Sequence, residues 1–434
     1  MKGIADYLNK YFKIQQSGST IHKEIIAGAT TFLTMSYIVF VNPSILSDSG
    51  MQYSGVLAAT VLVCSVSSIL MGLYGKLPYG VAPGMGINAF FTYNLVIGKG
   101  IPWQTALGAV FVSGIIFIFL TILRVREYIV KAIPYTLRNA VAAGIGIFIA
   151  FVGLQKAGMI VKSKATMVQL GEFGPDIYLF LFGLLITSVL VIYKYKIALF
   201  AGIVITTILG LLFGNVSIPQ KIISSPDFQS VFMKLDIKNV FTISMIAPVF
   251  TLFFTDLFDS ISTFMGVSQA SNMLDEQGQP KNINKGLFVD AVSTSISGIF
   301  GSSSGTTYIE SAAGIQEGGR TGLTAVVVGL LFIPFIFFGN LAKIIPGYAT
   351  APALIIVGVY MMSAIKYMDF KNYEESIPAF LSIILIPLTY SITQGIVWGF
   401  ISYTLFKIIR GKYREIHPMM HVIFVLSVLA LIYG

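Results

Sequence analysis

Charged residues divide the chain into long apolar stretches. Lys, Arg, Asp and Glu are absent from eight of them: 25–47, 49–75, 77–98, 100–123, 197–220, 321–342, 344–365 and 376–406. Each can cross a bilayer, because about 20 apolar residues rising 1.5 Å each span the hydrocarbon. Shorter stretches of the same character run over 139–155, 177–193, 239–255 and 291–309. The pattern predicts an all-α, polytopic membrane protein that is embedded in a lipid bilayer.

The composition excludes several other classes of protein. Hydrophobic residues make up 55% of the 434 residues and charged residues 11%, against roughly 25% charged residues in a soluble domain. A soluble enzyme and a disordered chain are both incompatible with these values. The net charge of +9 comes from basic residues that flank the apolar spans and form no long run, so no nucleic-acid partner is expected. The single Cys64 excludes an intrachain disulfide.

The distribution of basic residues predicts the orientation of the chain. With a cytoplasmic N-terminus and alternating spans, 20 of the 28 Lys and Arg residues fall on the cytoplasmic side, as the positive-inside rule requires. Both termini are then cytoplasmic, and the number of spans is even, about fourteen. The stretch 376–406 divides into two spans at the turn-prone Ser391, Thr393, Gln394 and Gly395. The last apolar piece, 418–434, is expected to lie at the membrane interface.

The two halves of the chain resemble each other in layout. Residues 1–24 form a cytoplasmic segment, 25–215 and 239–411 form two seven-span repeats, and 412–434 form a C-terminal segment. Because seven is odd, the second repeat is inverted relative to the first. Each repeat contains a span interrupted by glycine and hydroxyl residues, at 80–90 and at 301–310. Matching broken spans indicate a transporter binding site, although glycines that only allow close helix packing are the alternative.

Carboxylates occur at positions where a membrane span would bury them. Asp256 and Asp259 are three residues apart and share one face of a helix, and Glu310 lies in the second broken span. Carboxylates at this depth usually mark an ion or substrate pathway, although a structural carboxylate is the alternative for Asp290. The three histidines lie near the termini, so proton coupling would have to use carboxylates. Asn88 in the first broken span is a further polar candidate.

These residue types suit a small planar solute that carries several hydrogen-bond donors and acceptors. Acceptor carboxylates, free backbone groups of the broken spans, and the aromatic residues Phe90, Tyr308 and Phe258 would surround it. A nucleobase fits this description. An amino acid or a small anion stays open, although the excess of acidic groups argues against an anion. An intramembrane aspartyl protease is disfavoured, because Asp256 and Asp259 are neighbours on one helix. No catalytic site is predicted.

Four segments resemble the nucleobase:cation symporters of the nucleobase/ascorbate transporter superfamily, in particular the AzgA-like adenine, guanine and hypoxanthine permeases. The segments are GATTFLTMSYIVFVNPSIL at 28–46, GMGINAFF at 84–91, FTDLFDSISTFMGV at 254–267 and SSSGTTYIESAAGIQEGGRTGL at 302–323. The resemblance covers essentially the whole chain. It implies fourteen spans in two inverted repeats, with short strands in broken spans 3 and 10. It also implies a core domain of spans 1–4 and 8–11 that moves against a gate domain of spans 5–7 and 12–14.

The resemblance further implies a site between the two strands. Asp259 and Glu310 look like the two carboxylates that hold the base, and either Asp256 or Asp259 could contact it. The candidate substrate-binding residues are Asp259, Glu310, Asp256, Asn88, Ala89, Phe90, Thr307 and Tyr308. Gly84, Gly86 and Gly305 are structural glycines that allow close approach of the backbone.

The expected activity is uptake of a purine nucleobase across the cell membrane by symport with protons. Asp256 and Asp259 are the candidates for proton coupling, and sodium is the rival ion. No metal or other cofactor is expected. Adenine and guanine or hypoxanthine are not distinguished by the sequence, and xanthine, uracil or a small anion are the alternative substrates. The resemblance also allows a homodimer formed through the gate domain.

Overall fold

The computed structural model describes residues 2–123, 125–214, 216, 219, 221–270 and 282–433. Within these ranges, eight helices are long and apolar enough to cross a membrane. They are Ile21–Ser49, Tyr53–Gly75, Trp103–Ile122, Tyr135–Lys156, Pro175–Ile192, Ile243–Ser268, Gly347–Tyr367 and Ile392–Ile409. Three shorter apolar helices are Ala198–Leu212, Gly322–Phe337 and Pro418–Ile432. The chain is therefore a multi-pass, mostly helical membrane protein.

In the described ranges, α-helices follow one another along the chain with four short strands between them. The α-helices of the first half are α1 (Lys2–Phe12), α2 (Ile21–Met35), α3 (Ile38–Leu46), α4 (Tyr53–Leu70), α5 (Met85–Ala89), α6 (Trp103–Ile122), α7 (Val125–Ala132), α8 (Tyr135–Lys156), α9 (Pro175–Ile192) and α10 (Ala198–Leu212). Those of the second half are α11 (Ile246–Ala270), α12 (Ile283–Phe300), α13 (Ser311–Gln316), α14 (Gly322–Phe332), α15 (Gly339–Ala342), α16 (Gly347–Met362), α17 (Tyr373–Leu388), α18 (Ile392–Ile409) and α19 (Pro418–Tyr433). The strands are β1 (Val81–Pro83), β2 (Ile160–Ser163), β3 (Met167–Leu170) and β4 (Gly305–Thr307).

Polar side chains fix where several spans begin. Thr20, Asn372 and Ser391 precede α2, α17 and α18, and each accepts a hydrogen bond from a backbone N–H in the first turn of its helix. Such caps satisfy N–H groups that have no partner within the helix. Ser391 therefore marks the division of the long apolar stretch 376–406, as the sequence predicted, whereas Thr393, Gln394 and Gly395 lie inside α18.

The two broken segments meet in a short antiparallel strand pair. Strand β1 pairs with β4, so that Val81 is opposite Thr307 and Pro83 is opposite Gly305. The Gly84 N–H donates to the Ser304 carbonyl over 2.9 Å, and the Tyr308 N–H donates to the Gly80 carbonyl over 3.0 Å. Residues half a chain apart are thereby joined through their backbones.

Side chains of neighbouring helices satisfy the backbone around this strand pair. Ser68 on α4 accepts from the Val81 N–H over 2.9 Å and donates to the Val81 carbonyl over 3.2 Å. Ser311 on α13 accepts from the Gly80 N–H over 3.0 Å. Extended backbone within a membrane protein needs such partners, because lipid offers none. The abundance of serine near the broken spans thus has a structural reason.

Helix packing in the two halves follows corresponding patterns. Helix α4 packs on α14, and α6 packs on α12. Helix α8 packs on α16 and on α17, while α16 packs on α9 and α10. Helices α9 and α10 pack on each other, and so do α17 and α18. Each half therefore packs against the other in a similar way.

One strand pair in the structure lies outside the broken spans and was not predicted from the sequence. Strands β2 and β3 form an antiparallel hairpin between α8 and α9, with Ile160 opposite Leu170. Its residues are mostly exposed, so no alternation of buried and exposed positions could have indicated it. The C-terminal helix α19 packs on α7, α11 and α18.

Candidate functional site

A cavity of about 350 Å³ lies beside the strand pair. Helix α11, the segment after β4, the junction of α2 and α3, and helices α8 and α16 enclose it. The polar residues among its lining are Tyr37, Tyr135, Arg138, Asn139, Asp259, Ser262, Thr263, Thr307, Tyr308, Glu310, Tyr360, Ser363, Lys366 and Tyr367. Tyr135 and Arg138 lie in the first turn of α8, and Lys366 and Tyr367 follow α16. Tyr135 is 52% exposed and Tyr367 50% exposed, so the cavity opens at these helix ends.

Asp259 faces this cavity from α11. Among the described residues, no side chain or backbone group forms a hydrogen bond with its carboxylate, although Asp290 and Glu310 are close enough to interact with it electrostatically. A carboxylate with no fixed partner is available both to a ligand and to a proton.

Asp256 lies one turn earlier on α11 but outside the cavity lining. It is buried, and its Oδ2 accepts a hydrogen bond from Thr294 on α12 over 2.6 Å. Its Oδ1 is buried without a hydrogen-bond partner in the described part of the chain. The two aspartates therefore occupy different environments.

Glu310 lies three residues after the end of β4, immediately before α13, and also lines the cavity. Its Oε1 accepts a hydrogen bond from the Tyr37 hydroxyl over 2.7 Å. Asp259 and Glu310, which the sequence selected together, thus lie on the same cavity although 50 intervening residues separate them. The cavity presents two acceptor groups from two different elements.

Three predicted residues of the first broken segment lie away from this cavity. Asn88, Ala89 and Phe90 are fully buried and do not line it. The Ser303 hydroxyl donates a hydrogen bond to Asn88 Oδ1, so Asn88 connects the two broken segments. The first broken segment instead contributes Met85 and Gly86 to the cavity.

Thr307 and Tyr308 line the cavity at the end of β4 and are both held in place by hydrogen bonds. The Thr307 hydroxyl donates to Asp290 Oδ1 over 2.8 Å, and its backbone N–H donates to Asp290 Oδ2 over 3.2 Å. The Tyr308 hydroxyl donates to the Pro83 carbonyl over 2.5 Å. Asp290 therefore fixes the strand next to the cavity rather than facing the cavity itself.

The three predicted glycines have different neighbours. A Cβ on Gly84 would lie 3.5 Å from Asp259 Oδ2 and 3.0 Å from Thr306 Cγ2. A Cβ on Gly86 would lie 2.5 Å from Ile145 Cγ2 on α8. A Cβ on Gly305 would lie 2.9 Å from the Ser293 Cβ on α12. Gly86 therefore permits contact between α5 and α8, and Gly305 permits contact between β4 and α12.

Sequence reasoning missed several residues of the cavity. Tyr37, Arg138, Asn139, Tyr360 and Lys366 all line it. Tyr37 lies in the segment 28–46 that carried the family resemblance, which is the one signal that could have selected it. The others lie on α8 and just after or within α16, where nothing in the local sequence distinguishes a cavity residue from a residue at a helix end. No group of three or more His, Cys, Asp or Glu residues in the described ranges is arranged to hold a metal ion.

A helical membrane protein with a polar cavity beside two broken spans belongs to the class of transporters. A model of the permease family matches residues 22–398. The chain is 41% identical to the adenine permease AdeP of Escherichia coli (strain K12), over 98% of this chain and 96% of that one. It is 39% identical to the guanine/hypoxanthine permease PbuO of Bacillus subtilis (strain 168), over 96% of this chain and 98% of that one.

The chain belongs to this permease family, the nucleobase/ascorbate transporter family, which confirms the resemblance seen in the sequence. It is a transporter and not an enzyme. The transmembrane domain of the cyanobacterial bicarbonate transporter BicA has a similar fold, with a TM-score of 0.65 at 19% identity, over 86% of this chain and 96% of that one.

Proposed function

We propose that this protein takes up purine nucleobases across the cell membrane by proton symport and alternating access. The observation that carries the proposal is the convergence of Asp259 and Glu310 on one cavity beside the strand pair. The relatives named as adenine and as guanine/hypoxanthine permeases support a purine substrate.

The cavity chemistry supports a ligand that is rich in N–H groups. Carboxylate oxygens accept hydrogen bonds, and a charged acceptor binds an N–H group more strongly than a neutral one. Purine bases carry ring and exocyclic N–H groups in one plane. The aromatic rings of Tyr37, Tyr308 and Tyr360 add apolar surface to the same cavity, which suits a flat heterocycle. A bound anion would be repelled by both carboxylates.

We further propose fourteen crossings in two inverted repeats, with a core and a gate. The eight long and three short apolar helices, together with the broken segments and α12 and α17, supply enough elements for this count and leave α19 additional. The corresponding packing of α4 on α14 and of α6 on α12 supports a core built from both repeats. The packing of α8, α9 and α10 with α16, α17 and α18 supports a separate gate.

Alternating access requires that one side of the protein is closed while the other side is open. The cavity opens at the start of α8, among basic residues that the positive-inside rule places in the cytoplasm. At the other end of α8, Lys156 forms an ion pair with Asp48 over 2.7 Å and donates to the Ser44 carbonyl over 2.7 Å. Tyr93 also donates to Asp48, over 2.6 Å.

A second set of contacts closes the same end. Tyr390, between α17 and α18, donates a hydrogen bond to Gln155, and its carbonyl accepts one from Asn94 over 3.0 Å. Its ring packs against Tyr93, Phe148 and Phe151. We call Asp48, Tyr93, Asn94, Gln155, Lys156 and Tyr390 the closed seam. It joins the proposed core to the proposed gate, which supports an inward-open state.

Proton coupling is assigned to Asp259 in this proposal. A coupling group must exchange protons with water in at least one state, and Asp259 lines the open cavity whereas Asp256 is buried behind it. We also propose that both termini are cytoplasmic, which the distribution of basic residues supports.

Uptake into reconstituted vesicles tests the proposal. An inward pH gradient without sodium should drive accumulation of labelled purine, and a protonophore should abolish it. Unlabelled adenine, guanine, hypoxanthine, xanthine, uracil and sulfate are then added as competitors. Competition by a purine alone supports the proposed substrate class, whereas competition by sulfate alone would refute it. Accumulation that follows only a sodium gradient would refute proton coupling.

A further inference from the structure

Tyr37 occupies the break between α2, which ends at Met35, and α3, which begins at Ile38. Its side chain is 1% exposed, yet it lines the cavity. Its hydroxyl donates the 2.7 Å hydrogen bond to Glu310 Oε1. On the preceding turn, the Thr34 hydroxyl approaches the Glu310 backbone carbonyl at 3.4 Å. The first membrane span therefore contacts Glu310 at both its side chain and its backbone.

The direction of this hydrogen bond determines what Glu310 can do. Because a phenol hydroxyl donates to Oε1, the carboxylate is held as an acceptor in one orientation. No other side chain in the described ranges is seen to bond to this carboxylate, and Glu310 lines the cavity. A free glutamate would lose rotamer freedom when it binds a ligand, whereas a glutamate that is already fixed loses less.

We infer that Tyr37 is a positioning residue for base recognition, and that its hydroxyl fixes Glu310 so that the second carboxylate oxygen accepts from an N–H group of the substrate. The inference rests on the proposed function and adds to it a residue from the first span. Tyr37 acts through Glu310, so its contribution depends on the carboxylate being present.

Binding of labelled hypoxanthine and adenine to purified variants tests this inference. Y37F removes only the hydroxyl and should weaken binding by roughly tenfold, the size of one hydrogen bond to a charged group. The matched control is Y79F. Tyr79 is fully buried, and its hydroxyl bonds to Ser268 over 2.8 Å outside the cavity. Y79F should change affinity by less than about twofold.

The double variant Y37F/E310Q separates positioning from a general structural effect. If Tyr37 acts through Glu310, the double variant binds as E310Q does, because coupled residues are non-additive. Losses that multiply would overturn the inference, and so would wild-type affinity in Y37F. A second background, E310D, withdraws the carboxylate by one methylene group. There, Y37F should have no further effect, which also decides the case if E310Q binding is too weak to measure.

The same measurements distinguish this inference from the proposed function. Wild-type affinity in E310Q would refute the proposed site as a whole. Weak binding in E310Q with wild-type binding in Y37F would refute only the positioning role.

Discussion

Lys156 Nζ lies 2.7 Å from Asp48 Oδ2, at the end of α8 that is opposite to the mouth of the cavity. Lys156 is largely buried, with its side chain 12% exposed. An ion pair of this kind is stronger than a fully exposed pair, because water screens it less. The ion pair joins α8, which belongs to the proposed gate, to the segment after α3, which belongs to the proposed core.

Removing the Lys156 charge should shift the protein toward a state that is open at the closed seam. The single native cysteine, Cys64, is buried, so a cysteine introduced at Ser262 in the cavity is the accessible thiol. We expect K156M to increase external labelling of S262C by a membrane-impermeant reagent severalfold. K162M, in the exposed hairpin, is the matched control. Unchanged labelling in K156M, or failure of the swap D48K/K156D to restore low labelling, would count against the seam.

Replacing either cavity carboxylate with its amide should weaken purine binding. E310Q and D259N each place an N–H donor where the base also presents N–H groups. The loss of a charge-assisted hydrogen bond corresponds to roughly tenfold or more in affinity. Calorimetric titration measures this, with E317Q on the exposed Glu317 as control. Retention of full affinity in both variants, with normal folding, would rule out the site.

Asp259 and Asp256 should differ in their effect on coupling. At base concentrations that saturate the weakened site, D259N should still exchange labelled for unlabelled purine but should not accumulate it in response to a pH gradient. D256N keeps an oxygen that can accept from Thr294 and should retain gradient-driven accumulation. The opposite pattern would transfer the coupling role to Asp256.

Bulk at Gly86 should slow transport more than it destabilises the protein. The added Cβ of G86A would lie 2.5 Å from Ile145 Cγ2 on α8, at a contact between the proposed core and gate. We expect a severalfold lower uptake rate, and partial recovery in G86A/I145A, because alanine lacks the Cγ2 that the new Cβ would meet. At Gly305 the neighbour is helix α12 itself, so G305V should lower the thermal midpoint as well. Wild-type uptake in G86V would leave helix packing as the whole explanation for this glycine.

Glu24 should contribute to stability without contributing to binding. Its carboxylate accepts hydrogen bonds from the backbone N–H of Arg320 over 2.9 Å and the backbone N–H of Thr321 over 3.2 Å. It also accepts one from the Thr324 hydroxyl over 2.6 Å. It thus satisfies the backbone at the start of α14. E24Q turns an N–H group toward these donors and should lower the thermal midpoint by about a few degrees, while purine affinity stays unchanged. A loss of affinity in folded E24Q would contradict this separation of roles.

The membrane spans could be predicted because the signal is local. A stretch without charges must leave water, and its length relative to the bilayer determines whether it crosses. The broken spans were visible for the same reason, since glycine, proline and serine disfavour a continuous helix within their own segment. Asp259 and Glu310 stood out because carboxylates are costly at membrane depth.

Only the tertiary structure decided which side chains face the cavity. The sequence pattern places Asp256 and Asp259 on one face of α11. In the structure, Asp256 accepts a hydrogen bond from Thr294 of α12, whereas Asp259 lines the cavity. Asn88 was selected from the sequence as a substrate-binding candidate, whereas the structure buries it outside the cavity lining with Ser303, 215 residues away, as its partner. Tyr37 reaches Glu310 across 273 residues. Periodicity fixes the direction of a side chain relative to its own helix, whereas its partner comes from a distant segment that only the packed fold brings near.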